Sequence, residues 1–267
     1  MMNKRIIVYI PFNNLDVRAN LPPSVRNASP LKQDLHLSKE WIDNRISIFM
    51  NYTLKSLKNQ TNQNFIAYVL YNKSSKFFIE QALLNYPPLP SNIHFIPGDN
   101  YETQVKKNIR GYKHFYELHL YSDDMYHKTF IEQLHNHKHK DGTKVLICQN
   151  GYIYNSIDHI LAKYFNFSSS FNCFIYTVEA YLQGVRYDFF KLGRWMGAIK
   201  LPHEIITYPS YINHCHDANA AFSFNTEKQR NKIKDVWVNN KGHRALFGEI
   251  ITDEAEKNKI LEEFMGN

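Results

Sequence analysis

Short apolar runs alternate with helical stripes along most of this chain. Ile6-Ile7-Val8-Tyr9-Ile10 is continuous, rich in β-branched residues and closed by Pro11, which predicts a strand buried on both faces. Residues 14–37 are rich in Pro and Asn and show little periodicity, so a long loop is expected there. Ser38 stands ready to cap a helix from about Lys39 to Leu57. In it Ile42, Arg45, Ile46, Phe49, Tyr52, Thr53 and Leu57 share one mostly apolar face. Ile66 to Tyr71 predicts a second buried strand, and a helix between two such strands makes a right-handed, parallel βαβ unit. Ser75 to Leu84 predicts a short helix stopped by Pro87-Pro88-Leu89-Pro90, and Asn92 to Ile96 a third strand ending at Pro97-Gly98. A helix over Tyr101 to Arg110 follows, then a strand over Phe115 to Tyr121 and a helix over Thr129 to Leu134. Lys144 to Cys148 is another buried strand, with Gln149 to Tyr152 as a turn into Ile153-Tyr154. The stretch from Phe171 to Glu179 precedes a short helix reaching about Gly184. Beyond Asn225 the chain is polar and Lys-rich until an amphipathic helix from about Asp253, capped by Thr252, that groups Ile260, Leu261, Phe264 and Met265. The pattern is that of one α/β domain, a mostly parallel sheet with helices on both faces. Its core spans about residues 5–225, with a C-terminal helical extension over about 226–267.

The strand that ends in Ser122-Asp123-Asp124 carries the chemistry. Paired acids between a strand and a helix lie at the C-terminal edge of a sheet, where open α/β folds bind ligands. Adjacent carboxylates repel, and a divalent cation allows both to stay ionised. Oxygen donors suit Mg2+ or Mn2+, ions that also grip nucleotide phosphates. The same three residues are equally good turn formers. In an extended chain neighbouring side chains point to opposite sides, so one aspartate touches the ion directly, and Asp124, nearer the turn, is the expected one. His135, His137 and His139 would share one face of a strand and could bind zinc. Lys138, Lys140, Asp141 and Gly142 instead mark a polar turn.

Composition narrows the partners. With 267 residues the chain can bury a substantial core, and its 15% aromatic content argues against disorder. The 32 basic and 25 acidic side chains leave a formal charge of +7, which favours an anionic partner. That excess contains no long basic block, so nucleic acid is not expected. Cys148, Cys173 and Cys215 are isolated and form no C-x-x-C, which fits a reducing cytoplasm better than a disulfide framework. Only five apolar or aromatic residues separate Arg5 from Pro11, too few for a signal peptide, and no apolar run is long enough to span a membrane.

Ser122-Asp123-Asp124-Met125-Tyr126-His127-Lys128 resembles the D-S-D-D-M-Y-H-K motif of the rhamnosyltransferase family of GT-A-like glycosyltransferases. An earlier block, from Phe49 through Tyr52-Thr53-Leu54-Lys55-Ser56-Leu57-Lys58-Asn59-Gln60-Thr61 to Phe65, resembles a second segment of the same proteins. The likeness covers most of residues 5–225, but these two blocks are its specific part. Tyr121 departs from it, standing where many relatives carry the first aspartate of a D-x-D. The resemblance implies a GT-A-like fold and transfer of a sugar, rhamnose by the family label, from a nucleotide-sugar donor to a glycan or lipid-linked acceptor. It places Pro11, Phe12, Asn13, Asn72, Lys107, Arg110, Ser122 and Asp123 against the donor. It gives Asp123, Asp124, His214 and His216, beside Asp217, to a Mn2+ or Mg2+ ion, and makes Glu179 the general base. The cysteines make a cytoplasmic protein the expectation, and a peripheral position on the inner membrane face is the lesser one, because the last helix mixes Glu with Lys on its polar face. Two other readings stand beside it. A nucleotidyltransferase would want a glycine-rich phosphate loop, and Pro11-Phe12-Asn13-Asn14 has no glycine. A non-enzymatic module binding anionic ligands or nucleic acid would rest on the positive charge alone.

Overall fold

A computed structural model describes residues 2–13, 35–187, 194–216, 238–240 and 243–266. The expected loop over 14–37, all but its last three residues, and Asp217 lie outside the described residues. The first sheet is built by strands β1 (Met2–Pro11), β2 (Ile66–Tyr71), β3 (Ile93–Pro97), β4 (Tyr112–His119), β6 (Val145–Cys148), β9 (Asn172–Thr177) and β10 (His203–Ile206). Its order is β10-β6-β9-β4-β1-β2-β3, and only β9 runs against its neighbours. The expected mostly parallel α/β sheet is therefore present. The strands β5 (Met125–Tyr126), β7 (Asn150–Asn155), β8 (Ile160–Asn166), β11 (Tyr211–Cys215), β12 (Val238–Asn240) and β13 (His243–Ile251) form a second sheet in the order β12-β13-β8-β7-β11-β5.

Alternation along the strands of the first sheet gives each of its faces a core. Ile6, Val8 and Ile10 of β1 join Tyr116 and Leu118 of β4 on one face. That face is covered by α1 (Lys39–Ile48), which passes through a π-helical turn, Phe49–Thr53, into α2 (Leu54–Lys58). Helices α3 (Lys76–Leu83) and α5 (Phe130–Asn136) pack into the same core. Ile7 and Phe115 point the other way, towards α4 (Tyr101–Asn108) and α6 (Val178–Leu182). The last helix, α7 (Glu254–Met265), buries Phe264 and is capped by Asp253, whose side chain accepts from the Glu256 amide. Thr252 is thus one residue short of the cap expected for it. Ahead of α7 stand β12 and β13, strands in a region read as a polar lead-in to a helix.

The sheets are joined at one edge. β4, β6 and β10 leave the C-terminal edge of the first sheet and continue into β5, β7 and β11 of the second. Gly151 lets β7 approach β11: a Cβ there would stand 2.5 Å from the Tyr211 carbonyl oxygen and 2.7 Å from its ring. Real Cβ atoms do not approach backbone so closely, and the Tyr211 ring is held against Phe171 at 3.8 Å between centroids. Gly151→Ala should therefore cost about 1–3 kcal/mol by overpacking. Urea denaturation checks this against Gly142→Ala, where nothing lies within 4 Å and only the positive φ opposes a side chain.

Candidate active site

After β4 the chain pairs once more with β1, through the Leu120 amide and the Tyr9 carbonyl, and then turns. The Asp124 amide donates to the Tyr121 carbonyl in that turn, so both aspartates sit where the chain passes between sheets. The extended geometry expected here does not persist, since Ser122 and Asp123 lie in the turn, yet the two side chains meet different partners. Asp123 faces α1, where its Oδ1 meets Arg45 Nη2 at 3.0 Å, and its Oδ2 lies 3.1 Å from His216 Nε2. Asp124 turns to β11 and accepts the His214 amide on Oδ1 at 2.9 Å.

The two carboxyls are electrostatically unequal. Burial works to raise Asp123, but the Arg45 guanidinium and the His216 contact outweigh it and hold the carboxyl at about 2. Asp124 is pushed well above the usual carboxylate range, first by burial and then by the charge on Asp123. Asp123 is thus the more acidic of the two, held as a carboxylate by Arg45 and His216.

Arg45 extends from the last turn of α1. Its Nε donates to Ser122 Oγ at 3.0 Å, and its Nη1 stands 3.2 Å from His216 Nε2. His214 lies behind the acids. Its Nδ1 is 3.1 Å from the Asp123 carbonyl oxygen, an acceptor, so that nitrogen carries the proton and Nε2 accepts from Ser156 Oγ at 2.8 Å. Burial, then the nearby His216, lowers His214 to about 4, which keeps the ring neutral. Tyr52, in the π-helical turn, covers it with ring centroids 3.9 Å apart.

These residues can be tested against a divalent ion. Two ligands sharing one Mg2+ at bond lengths of about 2.1 Å lie about 3 Å apart in octahedral geometry. The 3.1 Å between Asp123 Oδ2 and His216 Nε2 matches that spacing. Among the described residues no three His, Cys, Asp or Glu side chains gather into a cage. The donors suit an ion whose other positions go to water and phosphate oxygens, the usual habit of Mg2+. His214 gives both ring nitrogens to neighbours and acts as a brace for the acid turn.

Other residues expected at the donor meet on the same edge. Asn13 Oδ1 accepts the Asn72 amide, while its Nδ2 donates to Ser75 Oγ and the His36 carbonyl. Asn72 Oδ1 accepts from the Ser74 amide, so the pair locks the ends of β1 and β2 together. Phe12, next to Pro11, is buried against Trp41 and Phe95 and serves as floor. The structure does not bring Lys107, Arg110 or Glu179 to this edge. Lys107 and Arg110 are exposed at the end of α4, just before β4 begins. A helix that leads into a strand ends at that strand's N-terminal edge. Glu179 is exposed and follows the antiparallel β9, whose Thr177 pairs with His114 near the start of β4. All three lie across the sheet from the acids. Nor do the alternating histidines converge: His135 meets the Asn64 carbonyl, His137 faces Glu204, and His139 meets the Tyr116 hydroxyl.

Arg45 and Ser156 belong to the site and went unassigned in the sequence. The signal for Arg45 was present, since a cation on the apolar stripe of a helix requires a buried anion. Ser156 follows β7 without any local mark.

The model of a family described as putative rhamnosyl transferase matches residues 31–228. No curated protein matches the chain. Among solved structures, S. aureus TarS 1-349 aligns at 13% identity and a TM-score of 0.41, covering 97% of this chain and 70% of its own. The same protein in complex with UDP-GlcNAc aligns at 13% identity and 0.43, with 97% and 71% coverage. A 4-diphosphocytidyl-2C-methyl-D-erythritol synthase from Anaerococcus prevotii aligns at 11% identity and 0.33, covering 81% and 91%.

The inequality of the aspartates has a measurable outcome. Asp123→Asn leaves Arg45 without its charge partner in a site where the two side chains are only 9% and 14% exposed, and should destabilise the fold by about 3–5 kcal/mol at pH 7. Asp124→Asn keeps the acceptor for the His214 amide and removes a repulsion, so its stability should equal or exceed wild type. Urea denaturation of both variants distinguishes these outcomes.

Proposed function

Since the chain belongs to the putative rhamnosyl transferase family and is a glycosyltransferase, we propose that its donor, a nucleotide-sugar, binds along the C-terminal edge of the first sheet, at Asp123 and His216. The transferred sugar is rhamnose in this reading, and the acceptor a glycan or lipid-linked glycan. The observation that carries it is the contact at 3.1 Å between Asp123, on the turn that joins the two sheets, and His216, just after β11. Asp123 and His216 would hold a Mn2+ or Mg2+ ion, with Asp124 behind them. When bound, such an ion offsets negative charge gathering on the departing diphosphate.

The protein's own contribution is position. His214, braced by Ser156 and covered by Tyr52, fixes the carbonyl of Asp123 and the carboxyl of Asp124, so the acid turn is set before a ligand arrives. Ser122 and Arg45 fix its other side. The Asn13–Asn72 lock shapes the stretch of edge next to β1 and β2, where a nucleoside would lie. Fixing these groups in advance removes reorganisation from the reactive step. A lipid-linked acceptor would bring the protein to the inner face of a membrane, and the +7 charge suits anionic headgroups. Among the described residues no helix is long and apolar enough to cross one.

Calorimetric titration with UDP, with Mn2+ and with chelator, tests the reading. Wild type should bind at least about tenfold more tightly with Mn2+, and Asp123→Asn should lose that difference. Equal affinity in chelator would remove the ion from the proposal. Glu179 offers a second check, because it lies across the sheet from the acids. Glu179→Gln should keep turnover within about twofold of wild type, far from the loss of two or more orders that follows removal of a general base.

A further inference from the structure

Arg45 stands against both side chains that would hold a metal ion. Its Nη2 is 3.0 Å from Asp123 Oδ1 and its Nη1 3.2 Å from His216 Nε2, and that same Nε2 is 3.1 Å from Asp123 Oδ2. Guanidinium nitrogens only donate and carboxylate oxygens only accept, so one ring nitrogen cannot serve both neighbours. With Nε2 bare, its lone pair accepts from Arg45 and opposes the carboxylate. With Nε2 protonated, it donates to Asp123 and meets Arg45 proton to proton. A dication between Nε2 and Oδ2 would use both lone pairs at once, but it would then repel the adjacent guanidinium.

We propose that Arg45 is the built-in counter-ion of Asp123, displaced when metal arrives and then free to pair with the donor's diphosphate. The proposal rests on the nucleotide-sugar reading above. It makes Arg45 a brake on the metal and a partner of the phosphates. Without donor the guanidinium keeps Asp123 balanced and opposes entry of an ion. With donor, diphosphate oxygens offer Arg45 a new anion, and metal and nucleotide favour each other's binding. Guanidinium geometry suits that exchange, because its remaining donors can turn to phosphate while Nε stays on Ser122 Oγ.

The test uses the full chain with Mn2+ alone and with UDP in saturating Mn2+. Arg45→Gln keeps hydrogen-bonding capacity but loses the charge. It should bind Mn2+ alone about tenfold or more tighter than wild type, by titration of free Mn2+ through its paramagnetic resonance signal. The same variant should bind UDP about tenfold or more weaker in Mn2+. Opposite changes are the signature, since mere damage to the site would weaken both. Arg45→Lys keeps the charge and covers the case in which the Gln variant does not fold. It should hold Mn2+ within about threefold of wild type and bind UDP about tenfold weaker, because a lysine lacks the planar fork whose separate nitrogens reach Ser122 and a phosphate together. Unchanged or weaker Mn2+ binding in folded Arg45→Gln, or wild-type UDP affinity in folded Arg45→Lys, would overturn the proposal. Wild type that binds no UDP in Mn2+ would instead overturn the nucleotide reading, leaving the Mn2+ comparison to judge the counter-ion.

Discussion

The ion pair between Arg45 and Asp123 fixes the relation between the helical layer and the edge of the first sheet. Both side chains are largely withdrawn from solvent. A pair in that setting is retained only if its geometry is good and its remaining donors are used. Arg45 meets this by adding Ser122 Oγ through Nε and cation–π contact with the Trp41 ring at 6.0 Å. α1 is thus held to the turn after β4 by charge and to the sheet by Ile42, Ile46 and Phe49. Apolar burial sets the distance between the layers, while the ion pair sets which residue of the helix faces which residue of the turn. Removing either partner leaves a buried charge, which is why the pair is costly to break by substitution.

Topology then decides which residues share this site. Every helix of a parallel β–α–β unit starts near the C-terminal edge and returns the chain to the N-terminal edge. Loops that follow β1, β2 and β4 meet at one edge, and residues just before a strand gather at the other. Asn13, Asn72, Ser122 and Asp123 are of the first kind; Lys107 and Arg110 are of the second. Glu179 is displaced for a subtler reason. It does follow a strand, but β9 is antiparallel to its neighbours, so the end of β9 is the wrong edge. The direction of one strand separates it from the acids.

Much of this was legible in the sequence, and the exceptions have physical causes. Buried parallel strands read as continuous apolar runs, and β1, β2 and β6 were clear for that reason. The second sheet was not. In β7 the residues Tyr152, Ile153 and Tyr154 are apolar, but Asn150-Gly151 ahead of them looks like a turn, although Gly151 serves packing against Tyr211. β11 was hidden because Asn213, His214 and Cys215 look like a site loop, whereas His214 N–H and side chain both serve the acid turn. The helix over 39–58 was plain. Its π-helical turn was not, because the shift that sets Tyr52 on His214 leaves the apolar spacing almost unchanged.

The two family-like blocks turn out to be halves of one structure. Ser56 Oγ donates to the Tyr126 carbonyl and accepts the Tyr126 amide. Gln60 donates to the His127 carbonyl and accepts the Ile131 amide, and the Thr61 amide donates to the Lys128 carbonyl. The first block therefore grips the backbone of the second. Within the second block Met125 is core, the Tyr126 hydroxyl donates to the His119 carbonyl, and His127 and Lys128 face Glu263 of α7. Met125 and Tyr126 are thus spent on core and backbone, and His127 and Lys128 on α7. Asp123 differs: its side chain meets other ionisable side chains, Arg45 and His216, rather than backbone. A motif read whole thus divides into a frame, built on Ser56, Gln60, Thr61 and the backbone of residues 126–128, and a carboxylate, Asp123, that the frame holds at the junction of two sheets.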